Sequence, residues 1–300
     1  MLPVHNLKSI RVMFIKGNFC IWLVLLLVVS CTVKSKQKYS SIPGYDISKP
    51  TTIHLRGELD EISGLYYYKK DTSVFSIIDE AGYLYKIFLR KKVEIQKWKF
   101  SKNGDFEDIS MVDSTFYALK SNGDLTSFKF FSLDSVQEKK YNSPLSGKNE
   151  FEGLFYDSLS RQLVLLCKDC EADKKKSLSA YSFNVVSRVF SDTPYFVLDV
   201  ENIAEDLGAG KMKFKPSGIA VHPKTRELYI ISSVNKALVI AGPDGKIKDA
   251  YQLDPSIFKQ PEGITFTPWG DLLISNEAAE VGSPNILIFK YKPKNDAKVK

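Results

Sequence analysis

The chain has 300 residues, of which 44% are apolar and 26% charged, a composition that excludes a disordered chain, a collagen and a small disulfide scaffold. Part of the formal charge of +7 comes from the start of the chain, since residues 1–30 hold three basic residues (Lys8, Arg11 and Lys16) and no acidic one. The rest of the chain is close to neutral, so we expect no nucleic-acid partner.

The first predicted element is a signal sequence. Eleven apolar residues run from Phe19 to Val29, fewer than the roughly 20 that span a bilayer. Together with the basic residues before them, they predict a signal peptide over residues 1–30. Ser30 and Cys31 follow, and then a polar stretch, an order that resembles a bacterial lipobox.

We therefore expect Cys31 to be acylated, with palmitate or a similar chain, and residues 31–45 to form a tether. The lipid would hold the protein at the cell membrane or the outer membrane, with its folded domain on the periplasmic face. The alternative is a soluble secreted protein that has a cysteine near its cleavage site.

Two further cysteines, Cys167 and Cys170, end an apolar strand. A redox pair of this spacing needs a strand-to-helix setting, and a zinc site needs two more ligands, for which the mature chain offers only His54 and His222. In an oxidising compartment a local disulfide is favoured, and two inert thiols remain the alternative.

Five segments of the remaining chain share one plan of short strands joined by turns. Their starts are 46, 45, 65 and 45 residues apart. In chain order the segments begin at Glu61, Glu107, Glu152, Ser217 and Glu262.

Units of about 45 residues with four short strands are typical of propeller blades. The fifth unit has only three strands, and residues 51–55 can supply its fourth, which closes the ring and removes a free sheet edge. We predict an all-β, five-bladed β-propeller over residues 46–293, followed by a frayed basic tail over 294–300. A sixth blade would have to lie between residues 170 and 211.

The motifs LDEISGLYYY, IIDEAGYLYKI, FEGLFYD, PSGIAVHPKTRELYIIS, QPEGITF and LLISNE resemble the SdiA-regulated family of bacterial propeller proteins. The resemblance covers residues 53–292. It implies a compact propeller, distantly similar to NHL and to SMP-30-type, calcium-dependent lactonase propellers, with calcium in some members. It implies no settled activity.

The first strand of each blade lines the channel of a propeller, so the repeat starts are predicted to lie at one height. Four of these five residues are carboxylates, which raise one another's pKa values unless a positive charge lies among them. Calcium takes six to eight oxygen ligands, so we predict a calcium site at Glu61, Glu107, Glu152 and Glu262. Lysine counter-charges, or hydrogen bonds from these acids to backbone amides of neighbouring blades, are the alternatives.

A second polar layer is expected where the second strands end. With Ser217, it forms a predicted ligand-binding set: Asp79, Glu80, Lys120, Lys168, Asn276 and Glu277. No Ser-His-Asp arrangement is recognisable, so a monomeric module that binds a small ligand or an envelope protein is favoured over an enzyme. The alternative is a calcium-dependent lactonase or phosphotriesterase-like hydrolase, whose catalytic residues the sequence does not identify.

Overall fold

The described residues form twenty-one short strands and little helix. The computed structural model describes residue 39 and residues 41–90, 92–132, 135–173, 176–278 and 282–293. Residues 1–38, with the predicted signal peptide and Cys31, and the predicted tail at 294–300 lie outside the described residues. Within the described part, no helix is long and apolar enough to cross a membrane.

The first two blades are regular antiparallel sheets of four consecutive strands. Blade 1 contains β2 (Ile62–Tyr68), β3 (Ser73–Ile78), β4 (Tyr83–Phe88) and β5 (Glu94–Lys99). Blade 2 contains β6 (Phe106–Val112), β7 (Thr115–Lys120), β8 (Leu125–Ser132) and β9 (Ser135–Tyr141). In each blade the burial decreases from the second strand outward to the fourth, which lies at the surface.

Blade 3 has its outer position filled by two short strands. It contains β10 (Asn149–Asp157), β11 (Gln162–Cys170), β12 (Ser177–Asn184), β13 (Val189–Phe190) and β14 (Phe196–Asp199). Both β13 and β14 pair with β12. The helix α1 (Val200–Asp206) follows directly, capped by the Asp199 side chain, which accepts from the backbone N–H of Glu201. This helix supplies part of the longer spacing before Ser217.

The last two blades include the ring closure. Blade 4 contains β15 (Gly218–Val221), β16 (Leu228–Ser232), β17 (Ala237–Ala241) and β18 (Ile247–Gln252). Blade 5 contains β19 (Pro261–Phe266), β20 (Leu272–Asn276), β21 (Asn285–Phe289) and, from the start of the chain, β1 (Thr51–His54). Strand β1 pairs antiparallel with β21, which confirms the predicted closure and the five-bladed propeller and excludes the six-bladed alternative.

Buried side chains form one hydrophobic cluster at each interface between neighbouring blades. For example, Leu59 and Leu65 pack with Ile286 between blades 1 and 5, and Phe100 stacks on Phe128 between blades 1 and 2 with ring centroids 4.1 Å apart. The alternation of strand residues between the two faces of each sheet supplies both neighbouring clusters. The core is therefore a ring of inter-blade layers.

The segment before β1 packs on the propeller. Ile42 and Tyr45, which fall at the end of the predicted tether, are only 1% and 3% exposed and belong to the cluster between blades 4 and 5. The Tyr45 hydroxyl donates to the carbonyl of Gly270, 2.5 Å away. This hydrogen bond fixes the start of the domain against the hairpin between β19 and β20.

The predicted local disulfide is confirmed. Cys167 and Cys170 are bonded at the end of β11, with their Cα atoms 5.8 Å apart. Both are buried among the side chains between blades 2 and 3. The bond removes both sulfurs from redox and metal chemistry in this state of the protein.

Candidate functional site

The innermost strands of the five blades can be aligned by their register. Each innermost strand has one residue that lies very close to a neighbouring blade. In blades 1, 3, 4 and 5 this residue is a glycine, and in blade 2 it is an aspartate. These five residues occupy equivalent positions in the five blades. A Cβ on Gly263, for example, would lie 2.8 Å from a carbon of Leu65, and one on Gly218 would lie 2.5 Å from the carbonyl oxygen of Glu262. The equivalent residues are Gly64, Asp108, Gly153, Gly218 and Gly263.

The residues that precede these positions form a polar ring around one mouth of the channel. They are Ser63, Glu107, Glu152, Ser217 and Glu262. Glu61 lies two residues before Ser63 and is exposed, so its predicted equivalence with the other repeat starts is wrong. The ring contains three carboxylates and two hydroxyls. A role for Glu61 in metal binding stays a prediction.

Lys168 is a cation at this mouth. Its ammonium group donates a hydrogen bond to Oε1 of Glu152, and Glu107 lies within hydrogen-bonding reach of the same carboxylate. Burial lowers the pKa of Lys168, whereas the neighbouring carboxylates, Glu152 above all, raise it. The effect of the carboxylates is the larger, so the pKa of Lys168 is raised overall. Lys168 therefore stays charged and offsets one of the carboxylates.

Burial and mutual repulsion raise the pKa values of the acids around Lys168. Burial, followed by the charge of Glu152, raises the pKa of Glu107 to about 9. Burial and Glu277 raise that of Glu262 to about 8, and burial and Asp79 raise that of Glu277 to about 7. At neutral pH this mouth therefore holds more protons than isolated carboxyl groups would, and an added cation would displace them.

The blade 1 residues of the predicted set lie at the edge of this cluster. Glu61 and Asp79 lie within hydrogen-bonding reach of each other, and this contact, with burial, raises the pKa of Glu61. The charges of Asp79 and Glu61 in turn raise the pKa of Glu277. These two blade 1 acids therefore interact electrostatically with the acids around Lys168. Glu80 is exposed at the end of β3.

Three other members of the predicted ligand-binding set have structural partners. The Lys120 ammonium lies 5.2 Å from the centroid of the Phe106 ring. The Ser217 hydroxyl donates to the Pro261 carbonyl and thereby joins blades 4 and 5. Asn276 is fully buried, and its amide donates to the Ile257 carbonyl and to the Asn285 side chain.

Sequence reasoning missed Asp108. Its carboxylate accepts from the backbone N–H groups of Ile109 and Leu154, both at 2.7 Å, and so joins blade 2 to blade 3. The predicted latch between an acid and the backbone of the next blade therefore exists, but at the residue after the ring position. Aligning the units on their glycines would have revealed that Asp108 stands where the other blades have glycine.

The acids of this mouth fit a hard cation in chemistry and only partly in arrangement. Their donors are all oxygens, which calcium prefers. In the described part of the chain, however, no three of these carboxylates have oxygens within 4.8 Å of one another, and the one group that does combines Asp173 with the two bonded cysteines. Side-chain rotation of Glu107, Glu152 and Glu262 would be needed to enclose an ion.

Comparison with known proteins agrees with the propeller architecture. A family model described as SdiA-regulated matches residues 42–280, whereas a search of curated proteins finds no significant match. The glutaminyl cyclase of Myxococcus xanthus is similar in structure, with 13% identity and a TM-score of 0.52 over 80% of this chain and 96% of that one. A luciferin-regenerating enzyme is similar with 11% identity and a TM-score of 0.50 over 81% and 95%. At such identities the likeness concerns the fold.

Proposed function

The chain belongs to the SdiA-regulated family, and from this premise we propose that it is a membrane-anchored binding module that holds a cationic ligand at the acidic mouth of its propeller. One observation carries the proposal: Glu107, Glu152, Glu262 and Glu277 all lie near Lys168, whose one positive charge offsets only one of them, and their pKa values are raised. Such a site gains free energy when a positive charge enters.

Calcium is the ligand that we propose for this mouth. Glu107, Glu152 and Glu262 would hold the ion, and Glu61 could join them only from outside the ring. Calcium would supply positive charge and bind oxygen atoms of a further ligand or of a partner protein. The Lys168 ammonium would have to turn away from Glu152, so its own charge limits the affinity.

Calorimetric titration of chelator-treated protein with calcium tests this site. Ligand binding stabilises the native state by mass action, by about 2.7 kcal/mol at a hundredfold excess over the dissociation constant. Glu262→Gln should weaken the heat signal and the calcium-dependent rise in Tm, since it keeps the size of the side chain and removes a charge. Glu138→Gln, at an exposed acid on β9, is the matched control and should change neither.

Proton release gives the test a second readout. Glu107 and Glu262 hold protons near neutral pH because their pKa values are about 9 and about 8, and calcium must displace these protons. Calcium affinity should therefore rise between pH 6 and 8, and the observed heat should depend on the ionisation enthalpy of the buffer. Absence of heat and of a Tm shift at millimolar calcium would remove the proposed ion site.

A hydrolase that uses this mouth is the second candidate. It is favoured by Glu277, whose pKa of about 7 suits a general acid or base at neutral pH. Turnover of lactones or phosphotriesters with calcium, and its loss in Glu277→Gln with binding retained, would support the enzyme. Saturable binding without turnover would support the binding module.

A further inference from the structure

The opposite mouth of the channel contains a cavity of about 670 Å³. Its walls come from the innermost strands of all five blades and from the hairpins that follow them. Pockets of 300–1,000 Å³ are of the size that encloses small organic ligands. This cavity lies on the far side of the channel from the acidic residues, and it is independent of the function proposed for them.

The floor of the cavity is aliphatic. In each innermost strand, the residue after the close-contact position is a branched aliphatic side chain no more than 4% exposed. Because these side chains carry no hydrogen-bonding group, the part of a ligand that reaches them must be apolar. The five floor residues are Leu65, Ile109, Leu154, Ile219 and Ile264.

Aromatic side chains dominate the walls. Tyr66, Tyr68 and Tyr156 are half-buried, and Phe155 and Phe266 are buried beside them. Among the described residues, none forms a hydrogen bond with the hydroxyl groups of Tyr66 and Tyr156, so both groups can bind a ligand's polar atoms. Flat rings pack well against such walls, and the hydroxyls add direction.

The rim is asymmetric in charge. Lys69 and Lys70, in the hairpin between β2 and β3, are exposed and line the cavity. Asp113, in the hairpin between β6 and β7, is the acid among the lining residues, so the rim carries two positive charges on the blade 1 side and one negative charge on the blade 2 side. The ammonium of Lys70 lies 5.8 Å from the centroid of the Tyr68 ring, close to the aromatic wall.

We propose that this cavity binds a small amphiphilic anion, with an apolar ring system against the aliphatic floor and one negative group beside Lys69 and Lys70. The floor selects the apolar body, the tyrosine walls favour a planar one, and the rim lysines orient the charge. Exposed lysines contribute modestly to the affinity, so the apolar contacts supply most of the binding free energy.

Two fluorescent probes of similar shape test the proposal with the full-length protein. Anilinonaphthalene sulfonate carries one negative charge, and N-phenylnaphthylamine carries none. We expect both to bind saturably at one site per chain, the anionic probe about three- to fivefold more tightly, which is the range of an exposed ion pair. High salt should reduce this difference, because it screens the lysine charges.

Charge variants separate the contribution of the rim lysines to probe affinity from that of the apolar contacts. Lys69→Gln combined with Lys70→Gln should weaken the anionic probe to the level of the neutral one and leave the neutral probe unchanged. The matched control is Lys102→Gln combined with Lys246→Gln, which removes two exposed charges that do not line the cavity. It should leave the affinity of both probes unchanged.

Cavity variants locate the bound probe. Val221→Phe places a ring in the cavity and should reduce the affinity for both probes about tenfold or more, a cost that steric exclusion readily exceeds. If this variant fails to fold, Tyr156→Ala, which removes a wall, serves instead with the same expectation. Trp269, next to the lining residue Pro268 and 65% exposed, should transfer its fluorescence to the bound probe, and Trp269→Phe should abolish most of that transfer.

Three results would each overturn the proposal. One is binding that does not saturate, which indicates general adsorption to apolar surface. Another is saturable binding that the folded cavity variants leave unchanged, which places the probe elsewhere. The third is an equal effect of the two lysine pairs on the anionic probe, which shows that net charge alone attracts it.

Discussion

Asp108 is a buried acid whose two oxygens each bind the backbone. One accepts from Ile109 in its own blade and the other from Leu154 in the next blade. On the other side, a Cβ on Gly64 would lie 2.1 Å from the Asp108 carboxylate and 2.6 Å from its Cα. One side chain therefore fixes the spacing of blades 1, 2 and 3 at the channel.

Asp108→Ala should lower the free energy of unfolding by about 2–3 kcal/mol, because the Leu154 N–H stays buried without an acceptor. Gly64→Ala should destabilise by a similar amount, about 1–3 kcal/mol, through overpacking against the backbone of β6. Urea unfolding measures both. Glu138→Ala at the surface should change the value by less than about 0.5 kcal/mol, and an equal effect of all three substitutions would contradict the structural role.

His222 lies in an aromatic cluster between blades 4 and 5. Its Nδ1 accepts from the backbone N–H groups of Lys224 and Thr225, at 3.2 and 3.1 Å, which fixes the proton on Nε2. Nε2 has no hydrogen-bond partner among the described residues and faces neighbouring rings such as Phe266 and Tyr291, whose centroids are 5.0 Å from that of the imidazole. Burial lowers the pKa of His222, Glu227 opposes this shift and Lys224 adds to it.

This lowered pKa predicts a loss of stability in mild acid. The unfolded chain takes up a proton on His222 near its ordinary pKa of 6.5, whereas the folded protein does so only at lower pH. The stabilising contribution is therefore complete above pH 6.5 and decreases as the pH falls towards the folded-state pKa. Urea unfolding at pH 7.5 and pH 5 measures it.

The buried glutamates titrate with the opposite sign, since their raised pKa values favour folding at lower pH. The contribution of His222 is obtained by comparing the stability profiles of the unmodified protein and a variant without this histidine. His222→Phe should flatten the acid side of the stability profile relative to the unmodified protein. Parallel profiles of the two proteins between pH 7.5 and pH 5 would show that His222 does not titrate in this range.

At the scale of elements, β1 completes the sheet of blade 5. It pairs with β21 from Thr51 opposite Ile288 to His54 opposite Asn285. Replacing Thr52 and Ile53 together by proline removes one of the N–H groups that β1 donates to this ladder, at a cost of about 3 kcal/mol or more. Differential scanning calorimetry should show a lower Tm.

The matched control is Thr52→Ala combined with Ile53→Ala, which trims the same side chains and keeps both N–H groups. It should retain most of the stability. The proline variant should also aggregate more readily, because an unpaired β21 edge can pair with another chain. If both double variants lost the same stability, the closure would depend on side-chain packing and not on the backbone ladder.

The repeated order of strands and turns was sufficient to predict the five blades and the closing strand. The alignment of the repeats was wrong in blade 1. It matched Glu61 to the glutamates that begin other units, whereas the position that the structure constrains is the glycine at the close approach of two blades. The close approach of blades fixes Gly64, Gly153, Gly218 and Gly263, and the polar ring precedes them. In blade 1 that places Ser63, not Glu61, in the ring.

Other features could not be predicted because they depend on contacts between distant segments. Tyr45 reaches Gly270, 225 residues later in the chain. A lysine counter-charge to the acidic ring was one of the predicted alternatives, but the choice of Glu152 as the partner of Lys168 depends on the bulged register of β10 and β11. The cavity needs the curvature of all five blades. Short-range periodicity contains none of this information.

At the scale of the whole molecule, lipid attachment at Cys31 stays a prediction. Cys31→Ser should move the protein from the membrane fraction to the soluble fraction, because acyl chains contribute about 0.8 kcal/mol for each buried methylene. Cys20→Ser is the matched control inside the apolar run and should leave the fractionation unchanged. Incorporation of a labelled fatty acid gives a second measurement. The label should enter the Cys20→Ser protein and should not enter the Cys31→Ser protein.

The pairing of β1 with β21 also determines when the molecule can be finished. The two strands lie near opposite ends of the described chain, so blade 5 must wait for the last strand to be synthesised, while blades 1–4 can form in order as their residues emerge. Joining such distant segments makes closure the step with the largest loop entropy. A chain truncated before Asn285 would therefore leave β1 without its pairing partner. Such an unpaired strand is accessible to proteases, so incomplete chains should be degraded preferentially.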